Sequence, residues 1–546
     1  MTSQSKRMMK SSMVFSGLTL ISRFLGLARD LVIGAALGAS STIMADAYNT
    51  ALSFPNLFRR IFAEGAFAAA FVPAYSATLE EKGPEAADKL ARDALATLAF
   101  ATLLLSLAAQ LSMPWLMQFI APGFMDTPDK FKLTVILTQI TMPYLPAMTL
   151  VALLSGVLNA RGRFILSGAA PTLLNVIMLV AVIPQKDPLS AAYAAAWSVL
   201  ASGIAQALLL IWGVRRVGAR IGFAWPSLSP DIRNLLWLAV PGAIAATATQ
   251  INVFVSQILS SEVDGARTWL NFADRLYQLP LGLVGVAIGV ALLPALSRAV
   301  QAGDKQAAQT TMDDALVLSM ALTLPAAAAM IAMPDYLIDG LFRRGEFTVF
   351  DSQQTALALL HYGWGVPAFV LTRVLTPAFF ARRDTWGPMK FAFASVALNL
   401  ALGIALFRLV GVQGLAMATS AAAWLNVGLM VITLSRRGVW TLSSKATGRL
   451  LRLILAGGVM GVFCFAAQMF RPALETMIAA FALPGGLSLA GAAKEVGILL
   501  SCFAGAVLYA GLVPVTGAVR ISEVRAALRR KPADPGDGKT LPPSFD

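Results

Sequence analysis

The stretch GLTLISRFLGLARDLVIGAALG, residues 17–38, is long and apolar enough to cross a bilayer, yet it carries Arg23 and Arg29. The next apolar stretch, SFPNLFRRIFAEGAFAAAFVPAYS at residues 53–76, carries Arg60. An arginine at mid-bilayer costs about 2.5–3.5 kcal/mol even on lenient insertion scales. We therefore expect these arginines to face a water-filled cavity inside the protein. A cationic cavity of this kind predicts an anionic substrate.

The composition is that of a membrane protein. The chain has 546 residues, of which 57% are hydrophobic and 13% charged, and its mean hydropathy is +0.70. Apolar runs of about 20 residues recur along most of its length, which is typical of spanning helices. The sequence therefore predicts an all-α, polytopic membrane protein. The net charge of +14 is explained by basic loops, so no nucleic-acid partner is predicted.

The apolar runs predict about fourteen transmembrane helices. An even number of crossings places both termini on the same side of the membrane. The predicted spans are 11–38, 48–74, 93–120, 133–157, 165–184, 190–213, 234–259, 268–296, 314–333, 354–379, 388–407, 411–434, 450–470 and 496–517.

Basic residues concentrate in alternate connections between these spans, which indicates the cytoplasmic side. The basic connections lie near residues 6–10, 82–92, 161–163, 215–220, 298–305, 382–383, 436–449 and 520–531. The opposite connections carry fewer basic residues, namely Lys130, Lys132, Lys186, Arg267, Arg408 and Arg471. Both termini are therefore predicted to be cytoplasmic.

Short matches at one constant offset of 221 residues indicate an internal duplication. The matched pairs are Pro73–Ser76 with Pro294–Ser297, Pro146 with Pro367, and Ala160–Arg161 with Ala381–Arg382. Residues 1–220 and 221–440 are thus predicted to form two six-helix lobes related by a pseudo-two-fold axis. Residues 441–520 would add two further helices. Residues 521–546 are polar and rich in proline, and they predict a disordered cytoplasmic tail.

Further ionisable residues lie in or beside the helices that carry the three arginines or their repeats: Asp30, Asp46, Glu64, Asp274 and Arg275. Arg23 and Asp30 are seven residues apart, on nearly the same helix face. Arg60 and Glu64 are four apart and can pair along one face. One interpretation is that such residues form buried ion pairs that lock helices together. The arginines outnumber the nearby carboxylates, however, and a guanidinium binds phosphate in a bidentate fork. A diphosphate substrate fits this surplus.

Several motifs make the chain resemble the MurJ (MviN) lipid II flippase family of the MOP transporter superfamily. They are SRFLGLARD (22–30), ADAYNTALSFPNLFRRIFAEGAFAAAFVPAYS (45–76), APGF (121–124), APTLLN (170–175) and ADRLYQLPLGLVGVAIGVALLPALS (273–297). The resemblance extends over residues 10–520. It implies two lobes around a V-shaped cationic cavity, with the last two helices forming a groove for a prenyl tail.

The resemblance also implies roles for individual residues. Residues expected to engage the diphosphate-linked headgroup are Arg23, Arg29, Arg60 and Arg275. Residues expected to support the cavity or its gates are Asp30, Asp46, Glu64 and Asp274. Of these, Asp30 would orient Arg29 and Arg275, and Asp46 would lie near the external gate.

The implied function is transport of lipid II from the inner to the outer leaflet of the bacterial cytoplasmic membrane, by alternating access. No covalent chemistry, catalytic residue, metal or cofactor is implied. Expected partners are lipid II and membrane lipids, with cell-wall synthesis proteins as further candidates. Two alternatives remain open at this stage. One is a flippase for another polyprenyl-diphosphate-linked saccharide, and the other is a MATE-like drug exporter, although a cationic drug would call for unpaired carboxylates.

A membrane enzyme acting on polyprenyl phosphates is a third class of protein to consider. Such an enzyme would need clustered carboxylates for a metal, or a nucleophile with its base. The sequence shows neither, and the single histidine, His361, stands without a catalytic cluster. We therefore predict a transporter rather than an enzyme.

Overall fold

The structure, a computed structural model, describes residues 21–60, 66–219, 221–222, 224–289, 292–480 and 490–519. Within these ranges the chain is helical and has no β-strand. Glu64 and the predicted tail lie outside the described residues. The all-α fold class is thus confirmed.

The described residues of the first half form eight helices, with a 3₁₀ turn at Pro122–Asp126 between the fourth and fifth. Their bounds are α1 (21–37), α2 (Met44–Arg59), α3 (Ala66–Glu81), α4 (Gly83–Ile120), α5 (Pro128–Thr141), α6 (Tyr144–Ala160), α7 (Phe164–Val182) and α8 (Pro188–Arg216). Local sequence explains where several of them begin. The Asp187 carboxylate, for example, accepts a hydrogen bond from the Ser190 N–H and so caps α8.

The second half and the C-terminal region continue the series from α9 to α20. Their bounds are α9 (Pro230–Ser260), α10 (Ala266–Gly289), α11 (Leu292–Gln301), α12 (Lys305–Ala332), α13 (Pro334–Phe342), α14 (Val349–Gly363), α15 (Val366–Phe380), α16 (Trp386–Val410), α17 (Gln413–Arg436), α18 (Ser444–Met469), α19 (Arg471–Ala480) and α20 (Ala493–Val515). Asp304 and Ser443 cap α12 and α18 with their side chains.

The helix pattern repeats at the offset predicted from sequence. Helices α5 and α14 begin at Pro128 and Val349, which are 221 residues apart. Each is followed by a short break and a second helix, α6 or α15. Proline contributes to both breaks because it has no backbone N–H to donate: Pro143 precedes α6, and Pro367 lies in the first turn of α15. The repeated break supports the predicted duplication.

Ten helical stretches in the described part of the chain are long and apolar enough to cross a membrane. Some of the predicted spans correspond to two consecutive helices, as α5 with α6 and α14 with α15 do. The chain is therefore a multi-pass helical membrane protein. The number of fourteen crossings remains a prediction.

The C-terminal helices are fastened to the second half through α12 and α13. Helix α18 packs on α12, and α20 packs on α18. The buried carboxylate of Asp339 on α13 forms ion pairs with Arg343, Arg471 and Lys494. The opposite faces of α18 and α20 present large apolar side chains outward, including Leu455 and Phe503. Such faces are stable only against lipid or another apolar surface.

The two halves meet tightly at the end of the molecule predicted to be external. The Asp46 carboxylate on α2 is fully buried and lies 2.9 Å from Lys130 Nζ on α5. It also accepts hydrogen bonds from the Gly265 N–H at 2.7 Å and from the Thr268 hydroxyl at 2.9 Å. Lys130 in turn lies 2.7 Å from Asp264. This network joins the first half to the start of α10 and closes that end.

A second set of contacts reinforces this closure. The Asp351 carboxylate accepts hydrogen bonds from the Ser40 N–H and the Trp269 indole N–H, both at 2.9 Å. The Glu346 N–H donates to the Ala35 carbonyl at 2.9 Å. At the opposite end, the first turns of α9 pack against α3, where Ile232 joins the core of the first half. The two halves therefore touch at both ends of the interior.

The buried Lys130–Asp46 pair gives a first testable prediction. Removing one partner of a buried ion pair typically costs about 3–5 kcal/mol, because the other charge stays buried. We expect Lys130→Met to lower the melting temperature of the purified protein clearly. Lys132→Met, on the exposed face of the same helix, is the matched control and should melt like the unmodified protein. Equal melting temperatures for both variants would contradict the proposed closure.

Candidate substrate cavity

An interior cavity lies between the two halves and has two connected compartments. The larger has a volume of about 840 Å³ and is lined by α1, α2, α6, α7, α8, α10 and α15. The smaller, of about 480 Å³, is lined by α2, α9, α10, α14 and α17. Residues shared by both compartments are Leu52, Asn56, Arg275, Tyr277 and Gln278. Helices α2 and α10 thus form the common wall.

Asp30 joins two of the predicted site arginines in the larger compartment. The Arg29 guanidinium donates two hydrogen bonds to Asp30 Oδ1, from Nη2 at 2.7 Å and from Nε at 3.0 Å. Arg275 on α10 approaches from the other half, with its Nε 3.1 Å from Asp30 Oδ2. Arg29 and Asp30 are buried, whereas Arg275 is partly exposed to the cavity. One carboxylate therefore holds two guanidiniums together across the interface between the halves.

Arg23 lies elsewhere in the same compartment. Although it shares a face of α1 with Asp30, its Nη1 donates instead to the Gln278 carbonyl of α10, at 3.5 Å. Neighbouring polar contacts fix this part of α1 against α7, where the Asn175 amide donates to the Ser22 carbonyl at 2.9 Å. The side chain of Arg23 thus contacts the backbone of α10 rather than Asp30 on its own helix.

Arg60 and Asp274 lie in the smaller compartment. The Asp274 carboxylate accepts a hydrogen bond from the Gln278 amide and interacts with the Tyr277 hydroxyl. Arg60 is close enough to Asp274 to attract it electrostatically. The expected pairing of Arg60 with Glu64 falls on a residue outside the described part of the chain.

Asp46 does not line either compartment. It lies in the closed network at the end predicted to be external, and its role at a gate remains a prediction. The sequence had suggested that Lys130 and Arg267 are ordinary loop charges on that side. Both are in fact buried. Arg267 donates to the carbonyls of Ile120 at 2.9 Å and Gln257 at 2.7 Å, so it helps to close the same end.

Sequence analysis missed two cavity arginines, Arg267 and Arg373. Arg373 on α15 lines the larger compartment together with Arg23. The signal was present, because Arg373 interrupts the apolar stretch VPAFVLTRVLTPAFF just as Arg23 interrupts its own. It also missed the carboxamide-rich lining of the smaller compartment, which consists of Asn49, Asn56, Gln250, Asn252, Gln257, Asn271 and Gln278. Carboxamides donate and accept hydrogen bonds, as sugar and peptide groups require.

The charge of the cavity favours an anion. Its described lining contains the guanidiniums of Arg23, Arg29, Arg60, Arg267, Arg275 and Arg373, against the carboxylates Asp30 and Asp274. No group of three or more His, Cys, Asp or Glu side chains within the described ranges could hold a metal ion. The arrangement therefore suits recognition of a multiply charged anion by hydrogen bonds and charge.

Comparison with known proteins gives the family. Residues 33–485 match a family model described as lipid II flippase MurJ. The chain is 38% identical over 541 residues to a probable lipid II flippase MurJ of Rhizobium tropici, which covers 98% of this chain and 99% of the relative. It is 33% identical over 438 residues to a lipid II flippase MurJ of Burkholderia cenocepacia, which covers 79% and 84% of the two chains.

Solved structures show the same fold. A lipid II flippase MurJ in an inward closed conformation matches with a TM-score of 0.74 at 23% identity, over 92% of this chain and 98% of that one. A multidrug resistance MATE transporter of the MOP superfamily, in an inward-facing conformation, matches with a TM-score of 0.63 at 14% identity, over 78% and 97%. At these identities the structures establish the fold alone. Together with the family model and the relatives, they show that the chain belongs to the lipid II flippase MurJ family.

Proposed function

We propose that this protein flips lipid II from the inner to the outer leaflet of the bacterial cytoplasmic membrane, as a transporter and not an enzyme. The observation that carries the proposal is the arginine surplus of the cavity between the two halves. A diphosphate cannot cross hydrocarbon without a large desolvation cost. Guanidiniums in a polar cavity replace its water by charge-assisted hydrogen bonds, which lowers that cost.

The Asp30 carboxylate would prepare the site for the diphosphate. By pairing with both Arg29 and Arg275 it keeps two guanidiniums close together despite their mutual repulsion. A diphosphate bound there would contact arginines from both halves at once. The carboxamide-rich smaller compartment would accommodate the sugar and peptide parts of the headgroup. Binding and orientation are thus the work of this chain, and no bond is made or broken.

The division of the chain into two lobes and two further helices supports alternating access, in which the headgroup enters the cavity while the lipid tail stays in the bilayer. We assign the two lobes to residues 1–220 and 221–440, and the tail groove to residues 441–520. The outward apolar faces of α18 and α20 fit a long prenyl chain. The closed network around Asp46 and Lys130 would have to break for release to the external side. Membrane lipids surround these helices, and cell-wall synthesis proteins would take over the delivered substrate.

Related transporters offer an alternative that the cavity disfavours. A MATE-like exporter of organic cations shares the fold. In the described cavity, however, Asp30 is paired with two arginines, so it is not free to bind a cation.

A flippase for another polyprenyl-diphosphate-linked saccharide is a second alternative, because its substrate carries the same anionic diphosphate. Competition between lipid II and other such lipids for binding would separate the two.

The arginine pair gives the central prediction. Arg29→Lys and Arg275→Lys keep the charge but lose the planar fork. A charge-assisted hydrogen bond is worth about 1.5–3 kcal/mol, so we expect lipid II binding to weaken about 10- to 150-fold. The corresponding Ala variants should also fail to flip lipid II in reconstituted liposomes. Arg163→Ala, in an exposed loop, is the control. Normal flipping by Arg29→Ala and Arg275→Ala at equal protein amounts would remove the main support for the proposal.

The basic loops predict the orientation in the membrane. In a variant whose two cysteines, Cys464 and Cys502, are replaced by serine, new cysteines are placed singly at Arg163 and Asp126. Both positions are exposed in the structure. In intact cells an impermeant thiol reagent should modify the cysteine at 126 and spare the one at 163. The reverse labelling would place the termini outside.

Helices α18 and α20 are predicted to be required for flipping because they would hold the lipid tail. A chain that ends at Arg437 should lose flipping, because α18 and α20 are then absent. A chain that ends at Arg520 lacks only the polar tail and should flip lipid II normally, which makes it the matched control. Both are assayed in liposomes after their folding has been checked by melting temperature. Full activity of a folded chain ending at Arg437 would refute the assignment of the groove.

A further inference from the structure

Two arginines of the larger compartment, Arg23 and Arg373, both contact the backbone of α10. Arg23 comes from α1 in the first half and Arg373 from α15 in the second. The Arg23 Nη1 donates to the Gln278 carbonyl at 3.5 Å, and the Arg373 Nη1 donates to the Leu281 carbonyl at 3.4 Å. Positions 278 and 281 are three residues apart, on one face of α10. Both guanidiniums therefore lie against the same short stretch of that helix.

Gly282 makes room for one of them. A Cβ atom at this position would lie 1.4 Å from Arg23 Nη1 and 2.2 Å from its Cζ. No real contact is that short, so any side chain at 282 would push the Arg23 guanidinium away. The glycine is thus what lets Arg23 lie directly on the α10 backbone, beside Arg373.

The charge of this pair is not balanced by nearby carboxylates. Within the described ranges, no carboxylate lies within ion-pair distance of Arg23 or Arg373, whereas Asp30 holds both Arg29 and Arg275. Arg23 and Arg373 also repel each other electrostatically. Their hydrogen bonds to α10 are at the long limit for such bonds and use one of the five N–H donors of each guanidinium. Among the described residues their other donors have no hydrogen-bond acceptor, which leaves them available to a ligand.

We propose that Arg23 and Arg373 form a phosphate-binding subsite separate from the Asp30-centred pair, with Arg373 as a substrate-binding residue. This rests on the proposed function, because the phosphate would belong to the lipid-linked diphosphate. Bidentate guanidinium forks on both sides would neutralise a phosphate group and remove the repulsion between them. Since α1 and α15 belong to different halves, a bound phosphate would also link the two halves across α10.

The test measures binding of two probes, lipid II and inorganic pyrophosphate, to the full chain. Arg373→Gln removes one guanidinium of the subsite. Gly282→Ala removes no charge and should only displace Arg23. We expect each variant to bind both probes at least tenfold more weakly, which is the loss of one charge-assisted hydrogen bond or more. Arg382→Gln near the end of α15, and Gly428→Ala on α17 where a Cβ meets nothing, are the matched controls.

A double variant tests whether Gly282 acts through Arg23. If it does, Gly282→Ala should add little to the effect of Arg23→Gln, because both changes remove the same contact. Additive effects would show that Gly282 acts otherwise and would overturn that part of the proposal. Melting temperatures establish that each variant is folded, and Arg373→Gln remains informative if Gly282→Ala does not fold.

The outcomes separate this subsite from the proposed function. Unchanged binding of lipid II by Arg373→Gln and Gly282→Ala, with active unmodified protein, would overturn the subsite alone. Weaker pyrophosphate binding with unchanged lipid II binding would mean that the subsite takes free phosphate, and would overturn its assignment to the lipid. Failure of the unmodified protein to bind or flip lipid II would instead overturn the proposed function.

Discussion

A guanidinium within a membrane-spanning helix has to be paired or hydrated, and the architecture follows from this constraint. Asp30 satisfies it for Arg29 and Arg275 with a single carboxylate. Because the three residues come from α1 and α10, the same interaction defines where the two halves meet. The cavity around them can then stay polar while the outward helix faces stay apolar.

The charged residues of the interior fall into two groups. Some stabilise the contact between the two halves, and others keep hydrogen-bond donors available to a substrate. Lys130, Arg267 and Asp46 form ion pairs and hydrogen bonds with protein groups at the closed end, where they join the halves. Arg23 and Arg373 have long contacts to backbone carbonyls and no carboxylate among the described residues. A transporter needs both kinds, because gates must form stable contacts while the binding site must keep donors for its substrate.

The sequence predicted much of the site from one physical argument, that arginines in apolar stretches must face a cavity. This argument found Arg23, Arg29 and Arg60, which all line the cavity, the first two in the larger compartment and Arg60 in the smaller. Applied to every helix, it would also have found Arg373. It could not show that Lys130 and Arg267 are buried, since a charge at the end of a span has the same sequence signal whether it faces water or a gate.

By itself, the sequence determined the helical membrane fold and the family, and it predicted a 221-residue repeat, because hydropathy, periodicity and motifs are local properties of the chain. The resemblance implied that Asp30 orients Arg29 and Arg275, but the spacing of the residues did not, and only the tertiary structure gives the physical reason for this pairing. Asp30 pairs with Arg29 and Arg275 rather than with Arg23 on its own helix face, because α10 brings Arg275 to Asp30 and offers Arg23 its carbonyls. Spacing along one helix cannot specify the neighbour that another helix supplies, and in this cavity that neighbour fixes which arginines remain available to the substrate.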